Sequence, residues 1–141
     1  MKVLVIDGQG GGLGRQLVAG IKNIDGIETI AVGTNSLATS AMLKAGASKA
    51  ATGENAVIVA CRKADVIMGA IGIVAADSML GEITPAMATA ISRSEAIKIL
   101  IPMNKCDIII SGVESKSMAS YVDEAVKQIE ILAGSRKCSL K

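Results

Sequence analysis

Apolar blocks of strand length alternate with blocks of helix length along this 141-residue chain. Repeated βαβ units produce that alternation, and it leaves few alternatives to a buried, mostly parallel sheet with helices on both faces. Strands are expected at KVLVI, ETIAV, Lys49 to Ala51, ADVIMGAIG, KILIPM and IIISGV. Helices are expected from about Gly12 to Ile24, over LATSAMLKAG, over ENAVIVACRKA, within MLGEITPAMATAISRSEA, and over SMASYVDEAVKQIEILAG. Some carry their own boundary signals. Asn35 or Ser36 caps the second helix and Gly46 closes it, while Thr84 followed by Pro85 marks a helix start. Only NKCD separates the last two strands. A parallel crossover needs about a dozen residues, so these two are expected to form an antiparallel hairpin at the sheet edge. The expectation is an α/β, single Rossmann-like three-layer domain over 1–134 with about six strands, followed by a basic, unfolded tail over 135–141.

Composition narrows the function. Half of the residues are apolar, but there is no Phe, no Trp and one Tyr. Such a surface lacks aromatic platforms for bases, and basic and acidic residues nearly balance outside the tail, so no nucleic-acid partner is expected. Three cysteines and no histidine argue against a disulfide framework or a zinc site, and no metal-ligand set is expected. The chain opens on a strand-like MKVLVID without a signal-peptide pattern, and no apolar run reaches the length of a membrane span. A cytoplasmic protein with no membrane partner is the expectation.

The first strand runs into a loop in which five of the seven residues from Gly8 to Gly14 are glycine. Each costs about 0.5 to 1 kcal/mol relative to alanine in regular structure. In an open α/β sheet this strand end faces the crevice, and the following helix presents free amides and the positive end of its dipole. A phosphate fits that place. Gly8, Gly12 and Gly14 form G-x-x-x-G-x-G, a pattern associated with short-chain dehydrogenase-like Rossmann folds. The G-x-G-x-x-G form fails at Leu13, and a phosphate-binding Walker A loop fails at Arg15 and Gln16. The plainer alternative is that the glycines only permit tight strand-to-helix packing.

The cofactor-binding candidates are therefore Asp7, Gly8, Gln9, Gly10, Gly11, Gly12, Leu13, Gly14 and Arg15. Thr34 and Asn35 follow the second strand, and Gly69 and Gly72 on the fourth would let backbone approach a ligand. Gly33, Thr34 and Asn35 suit a ribose or, with Arg15, a 2′-phosphate, which favours NADP over NAD if either binds. Glu28 lies at the sequence distance of a ribose-binding acid but begins its strand instead of ending it. Asp7 beside a phosphate would be repelled unless magnesium, a sugar hydroxyl or its own protonation intervened; otherwise it fixes loop amides.

Catalysis is less legible. The Tyr and Lys four residues apart of short-chain dehydrogenases are missing, because Tyr121 is followed four residues later by Ala125. Without histidine there is no imidazole base and no Ser-His or Cys-His pair. Topology brings Thr52, Glu54, Asn55, Asn104 and Lys105 to the same rim as substrate-binding candidates, and Glu54, Asp77, Glu82 and Lys105 as acid–base candidates. Each has a plainer reading. Capping accounts for Glu54 and Asn55, Asp77 and Glu82 suit solvated helix ends, and Cys106 is more simply a spare hairpin cysteine than a low-pKa thiol. Met42, Met68, Met79, Met87 and Met103 read as core or subunit contacts.

The blocks IDGQGGGLGRQL, GTNSLATSAMLKAGA, ATGEN, MLGEITPAMATAI and KILIPMNKC together resemble an uncharacterised family of short proteins from anaerobic, clostridia-like bacteria, classed as a domain of unknown function. The resemblance spans nearly the whole chain. It implies a small Rossmann-like protein with a glycine-rich nucleotide-type loop, and it implies no activity or substrate. Three functions fit: a binder of a nucleotide or dinucleotide, a non-catalytic sensor or homo-oligomeric partner-binding module, and a small enzyme acting on a phosphorylated or carboxylated metabolite.

Overall fold

The computed structural model describes residues 1–103 and 107–139, with side chains as far as residue 136. β1 (Lys2–Asp7), β2 (Glu28–Gly33), β3 (Lys49–Thr52), β4 (Val66–Ala70) and β5 (Ile97–Ile101) pair in one parallel sheet of order β3-β2-β1-β4-β5. The connecting helices are α1 (Gly12–Ile21), α2 (Ser36–Ala45), α3 (Glu54–Cys61) and α4 (Pro85–Arg93), with α5 (Met118–Ser139) last.

β1 is central, and every residue from Val3 to Asp7 is buried. Its side chains alternate between two cores, as a period of two requires. Val3 and Val5 pack with Leu17, Val18 and Ile21 of α1 and with Val122 and Ile129 of α5. Leu4 and Ile6 face the opposite way, toward Val57 and Cys61 of α3 and Met87 and Ile91 of α4. Burial on both faces explains why the strands are continuous apolar runs. The chain builds outward from β1 through β2 to β3, then crosses to β4 on the other side of β1. That reversal opens a crevice at the carboxyl end of β1, where sheets of this kind bind ligands.

The local signals hold where they were strongest. Asn35 Oδ1 accepts the Ala38 N–H at 2.9 Å and Gly46 ends α2 at φ +119°. Thr84 Oγ1 accepts the Met87 N–H at 3.1 Å, with Pro85 opening α4. β4 gives way after Ala70 to a short 3-10 turn over Ile71–Val74.

The expected antiparallel edge hairpin does not form among the described residues, and the sheet has five strands instead of about six. The apolar run Ile108 to Ile110 is bracketed by Asp107 at φ 52° and Gly112 at φ 81°. The Val113 N–H turns back to the Ile110 carbonyl at 3.4 Å, so too little extended chain remains to lie along β5. Ile110 and Val113 instead line a hollow with Met103 and with Met118 and Tyr121 of α5. Asn104, Lys105 and Cys106 lie outside the described residues. α5 continues past Gly134 to Ser139, so the first residues of the basic tail are helical. Arg136 reaches Asp65 at 3.0 Å. The Lys2 N–H and then Arg136 hold the Asp65 carboxyl below its usual range.

Candidate functional site

Asp7 ends β1 and is only 6% exposed as a residue. Its Oδ1 accepts the Gly8 N–H at 2.8 Å and its Oδ2 accepts the Gly14 N–H at 2.6 Å. Gly14 is the third residue of α1, and Gly11, which precedes the helix, has no side chain to cap it. Asp7 thus does at a distance what a capping side chain does locally, and its charge complements the helix dipole. Of the alternatives open for Asp7, fixing the loop amides is the one the geometry matches.

The glycine run divides into two kinds. Gly11 sits at φ +72°, and a Cβ there would lie 2.8 Å from the Ala38 Cα. A Cβ on Gly8 would lie 2.5 Å from Glu82 Oε2 and 2.7 Å from Thr34 Oγ1, and one on Gly14 would lie 2.5 Å from Met42 Sδ. These three are bare because neighbours occupy the space. Gly10 and Gly12 have ordinary φ, and a Cβ on either would meet nothing within 4 Å. Packing does not account for them.

Glu82 approaches the loop from the connection between β4 and α4. Its Oε2 accepts the Gln9 N–H at 2.6 Å and the Thr34 hydroxyl at 3.0 Å, and its Oε1 accepts from Asn35 Nδ2 at 3.1 Å. Two of the groups expected to meet a ribose or a 2′-phosphate, Thr34 and Asn35, are therefore directed at a carboxylate. The connection is tightly wound, with Asp77, Met79 and Leu80 at φ 64°, 56° and 56° before Gly81 at φ 87°. Left-handed backbone costs a non-glycine residue about 1 to 2 kcal/mol, and the fully buried Ile83 anchors the segment at its far end. The Asp77 N–H is bonded to the Ile83 carbonyl at 2.7 Å.

Against the loop lies a hollow of about 200 Å³, lined by Asp7, the residues from Gly8 to Leu13, Ala70, Met79, Met103 and Met118. Among the described residues, no protein acceptor takes the N–H groups of Gly10, Gly12 or Leu13. The hollow is smaller than the ~300 Å³ at which drug-sized ligand pockets begin, and Gln9 joins it to the corner formed by Thr34 and Glu82. Met118 was missed by the sequence reading, and Met79 and Met103 were assigned to core or subunit contacts. Their convergence depends on the β4–α4 connection and on the two ends of the β5–α5 connection. A broader concavity of about 1180 Å³ lies beside Cys61, Arg62, Arg93 and Ala96. It is at the amino end of the strands, opposite the edge where open α/β sheets place ligands, so the smaller hollow is the better candidate. Burial pushes the Cys61 thiol there up to about 11, against the opposing charge of Lys98.

Other candidates fall elsewhere. Thr52 Oγ1 is 2.6 Å from Thr39 Oγ1, and Glu54 and Asn55 are exposed at the start of α3. Asp7, Gly33 and Thr52 stand level across β1, β2 and β3, which places this group about 10 Å from the loop. A Cβ on Gly69 would lie 2.6 Å from the Ile6 carbonyl oxygen, so strand packing explains that glycine. Gly72 is buried in the 3-10 turn, its carbonyl accepting from the Ser78 hydroxyl. Arg15 is exposed on α1, and Asp77 is exposed on the Glu82 connection. Glu28 pairs with Lys49 at 2.6 Å at the amino end of β2, and that bond holds its carboxyl below the usual range. Among the described residues no three His, Cys, Asp or Glu side chains gather to hold a metal, and no helix is long and apolar enough to cross a membrane.

Comparison with curated proteins gives no match. Among solved structures, the chain is similar to a dodecameric FMN-dependent UbiX-like decarboxylase from Escherichia coli, at 15% identity and a TM-score of 0.43 over 95% of this chain and 94% of that one. The family model described as a domain of unknown function, DUF3842, matches residues 2–133, and the chain belongs to that family.

Proposed function

We propose that this protein binds a nucleotide or dinucleotide, such as NADP, NAD or a related phosphate-bearing ligand, at the carboxyl end of β1. The phosphate sits on the amides of Gly10, Gly12 and Leu13, and the sugar lies toward Thr34 and Asn35. The observation that carries this reading is the division among the glycines. Gly8, Gly11 and Gly14 are bare for the protein's own packing, whereas Gly10 and Gly12 leave open space beside unspent amides. A helix N-terminus with such amides favours an anion. Asp7 weakens the field there, its charge being shared over two loop amides. Phosphate alone is therefore a weak ligand, and contacts to the rest of the nucleotide supply the remaining affinity. Magnesium enters this reading only with the ligand's own phosphates.

A thermal-shift panel of NADP, NAD, ATP, GTP, AMP, coenzyme A and sugar phosphates tests the proposal. At a hundredfold excess over its dissociation constant, a ligand that binds only the native state adds about 2.7 kcal/mol. Gly12→Val places a branched side chain before the amides and abolishes the shift. Silence across the panel, or a shift unchanged in Gly12→Val, removes the loop from the account.

The homo-oligomeric partner-binding reading has its own support. β5 is an edge strand with Ile97 51% exposed, and Leu80 is 98% exposed. Open edges and isolated apolar side chains favour self-association. Sedimentation of the ligand-free protein tests it, and a monomer at micromolar concentration contradicts it.

A further inference from the structure

In dinucleotide-binding sheets an acid near the end of the second strand takes the ribose hydroxyls. β2 ends here at Gly33 and is followed by Thr34 and Asn35, and Glu28 stands at the opposite end. Glu82 arrives at the vacant place from a different connection, 48 residues beyond Thr34 in sequence and 3.0 Å from its hydroxyl. Resting on the nucleotide-binding reading above, we infer that Glu82 is the specificity-determining residue of the site and selects nucleotides whose ribose keeps free 2′- and 3′-hydroxyls over those carrying a 2′-phosphate.

The hydrogen bonds around Glu82 support this selection. A carboxylate offers about four acceptor positions. Gln9 N–H and the Thr34 hydroxyl take two on Oε2, and Asn35 takes one on Oε1. One position on Oε1 remains for a ligand hydroxyl. The Thr34 hydroxyl has given its only proton to Glu82, so toward a ligand it acts as an acceptor. Two adjacent acceptors match the two donors of a vicinal diol. A 2′-phosphate meets the opposite of what it needs, because the donors of this corner are already engaged. The Gln9 N–H and the Thr34 hydroxyl serve Glu82, and Asn35 Nδ2 serves both Glu82 and the Gln9 carbonyl. The phosphate also brings negative charge against a carboxylate. Three bonds to the loop and to the residues after β2, with the buried Ile83 next in sequence, hold Glu82 in this position before any ligand enters.

Isothermal titration of the wild-type protein with NAD, NADP, AMP, 2′-deoxy-AMP and adenosine 2′,5′-bisphosphate tests the inference without any variant. The expected result is that each 2′-phosphorylated member binds at least about tenfold more weakly than its partner, and 2′-deoxy-AMP about tenfold more weakly than AMP. In Glu82→Gln, which removes the charge at nearly constant shape, NAD weakens and the ratio of NAD to NADP affinity falls to about threefold or less. Equal wild-type affinities for NAD and NADP, both lost in Gly12→Val, overturn the selection and leave the loop reading standing. A wild-type ratio retained in Glu82→Gln overturns the role of Glu82. Failure of the wild-type protein to bind any of these nucleotides overturns the loop reading and this inference with it.

Discussion

Gly12→Ala and Gly14→Ala are the same chemical change two residues apart, and the structure predicts effects of opposite sign. At Gly12 the new methyl meets nothing within 4 Å and φ is ordinary. The substitution mainly removes conformational freedom from the unfolded chain, stabilising by about 0.4 to 1 kcal/mol. At Gly14 the methyl lies 2.5 Å from Met42 Sδ and 2.7 Å from Asp7 Cβ. Met42 is fully buried and Asp7 nearly so, so neither has solvent to move into. Overpacking of this kind costs about 1 to 3 kcal/mol, and displacing Asp7 weakens a charge-assisted bond worth about 1.5 to 3 kcal/mol. Because the bond is weakened and not lost, the total is about 2 to 5 kcal/mol. With an unfolding entropy of about 2.1 cal/mol/K per residue, 1 kcal/mol corresponds to about 3 °C in a chain of this size. Scanning calorimetry of ligand-free protein should therefore raise Tm by about 1 to 3 °C for Gly12→Ala and lower it by about 6 to 15 °C for Gly14→Ala. A Gly12→Ala protein destabilised by more than about 1 kcal/mol would refute the reasoning, since packing would then explain that glycine too.

Three further outcomes follow from named contacts. Asp7→Ala leaves the Gly8 and Gly14 amides without that acceptor and should cost about 2 to 4 kcal/mol in urea unfolding, while Asp7→Asn keeps one oxygen and costs about half as much; an Asn variant as stable as wild type contradicts the two-oxygen clasp. The Asp65 carboxyl is held below 3.8 when folded, first by the Lys2 N–H and then by Arg136, so its contribution is present above that value and is lost as pH falls through the folded pKa. With the side chain 32% exposed, the difference between wild type and Asp65→Asn is at most about 1 kcal/mol near neutrality and vanishes once pH has fallen through the folded pKa, and a difference constant with pH in thermal melts rules this out. Cys61, with its thiol pushed up to about 11, holds about one thiolate in ten thousand at pH 7; peptide mapping after iodoacetamide should find it unlabelled in native protein and labelled in urea, and rapid native labelling contradicts its burial.

Much of the fold was legible because its signals are local. Asn35 and Gly46 bound α2, Thr84 and Pro85 start α4, and the order of strand, glycine loop and helix put α1 where the structure has it. The missing sixth strand shows the limit of that method. Ile108 to Ile110 have the side chains of a strand, but Asp107 at positive φ breaks the path into it, and an aspartate does not announce such a conformation. The site was half legible for a related reason. Five glycines looked like one unit, and only their neighbours on α2 and on the Glu82 connection divide them into filled and open positions. Glu82 was visible only as a weak acid–base candidate, because its contact with Gln9 spans 73 residues and depends on left-handed backbone at Asp77, Met79 and Leu80.

Backbone amide shifts of ¹⁵N-labelled protein titrated with NAD and with AMP test the central claim most directly. The account predicts saturable shifts that begin at Gly10, Gly12 and Leu13, extend to Gln9 and Thr34, and disappear in Gly12→Val. Saturable shifts confined to other parts of the molecule, or resonances of the loop that stay fixed at millimolar nucleotide, would contradict it.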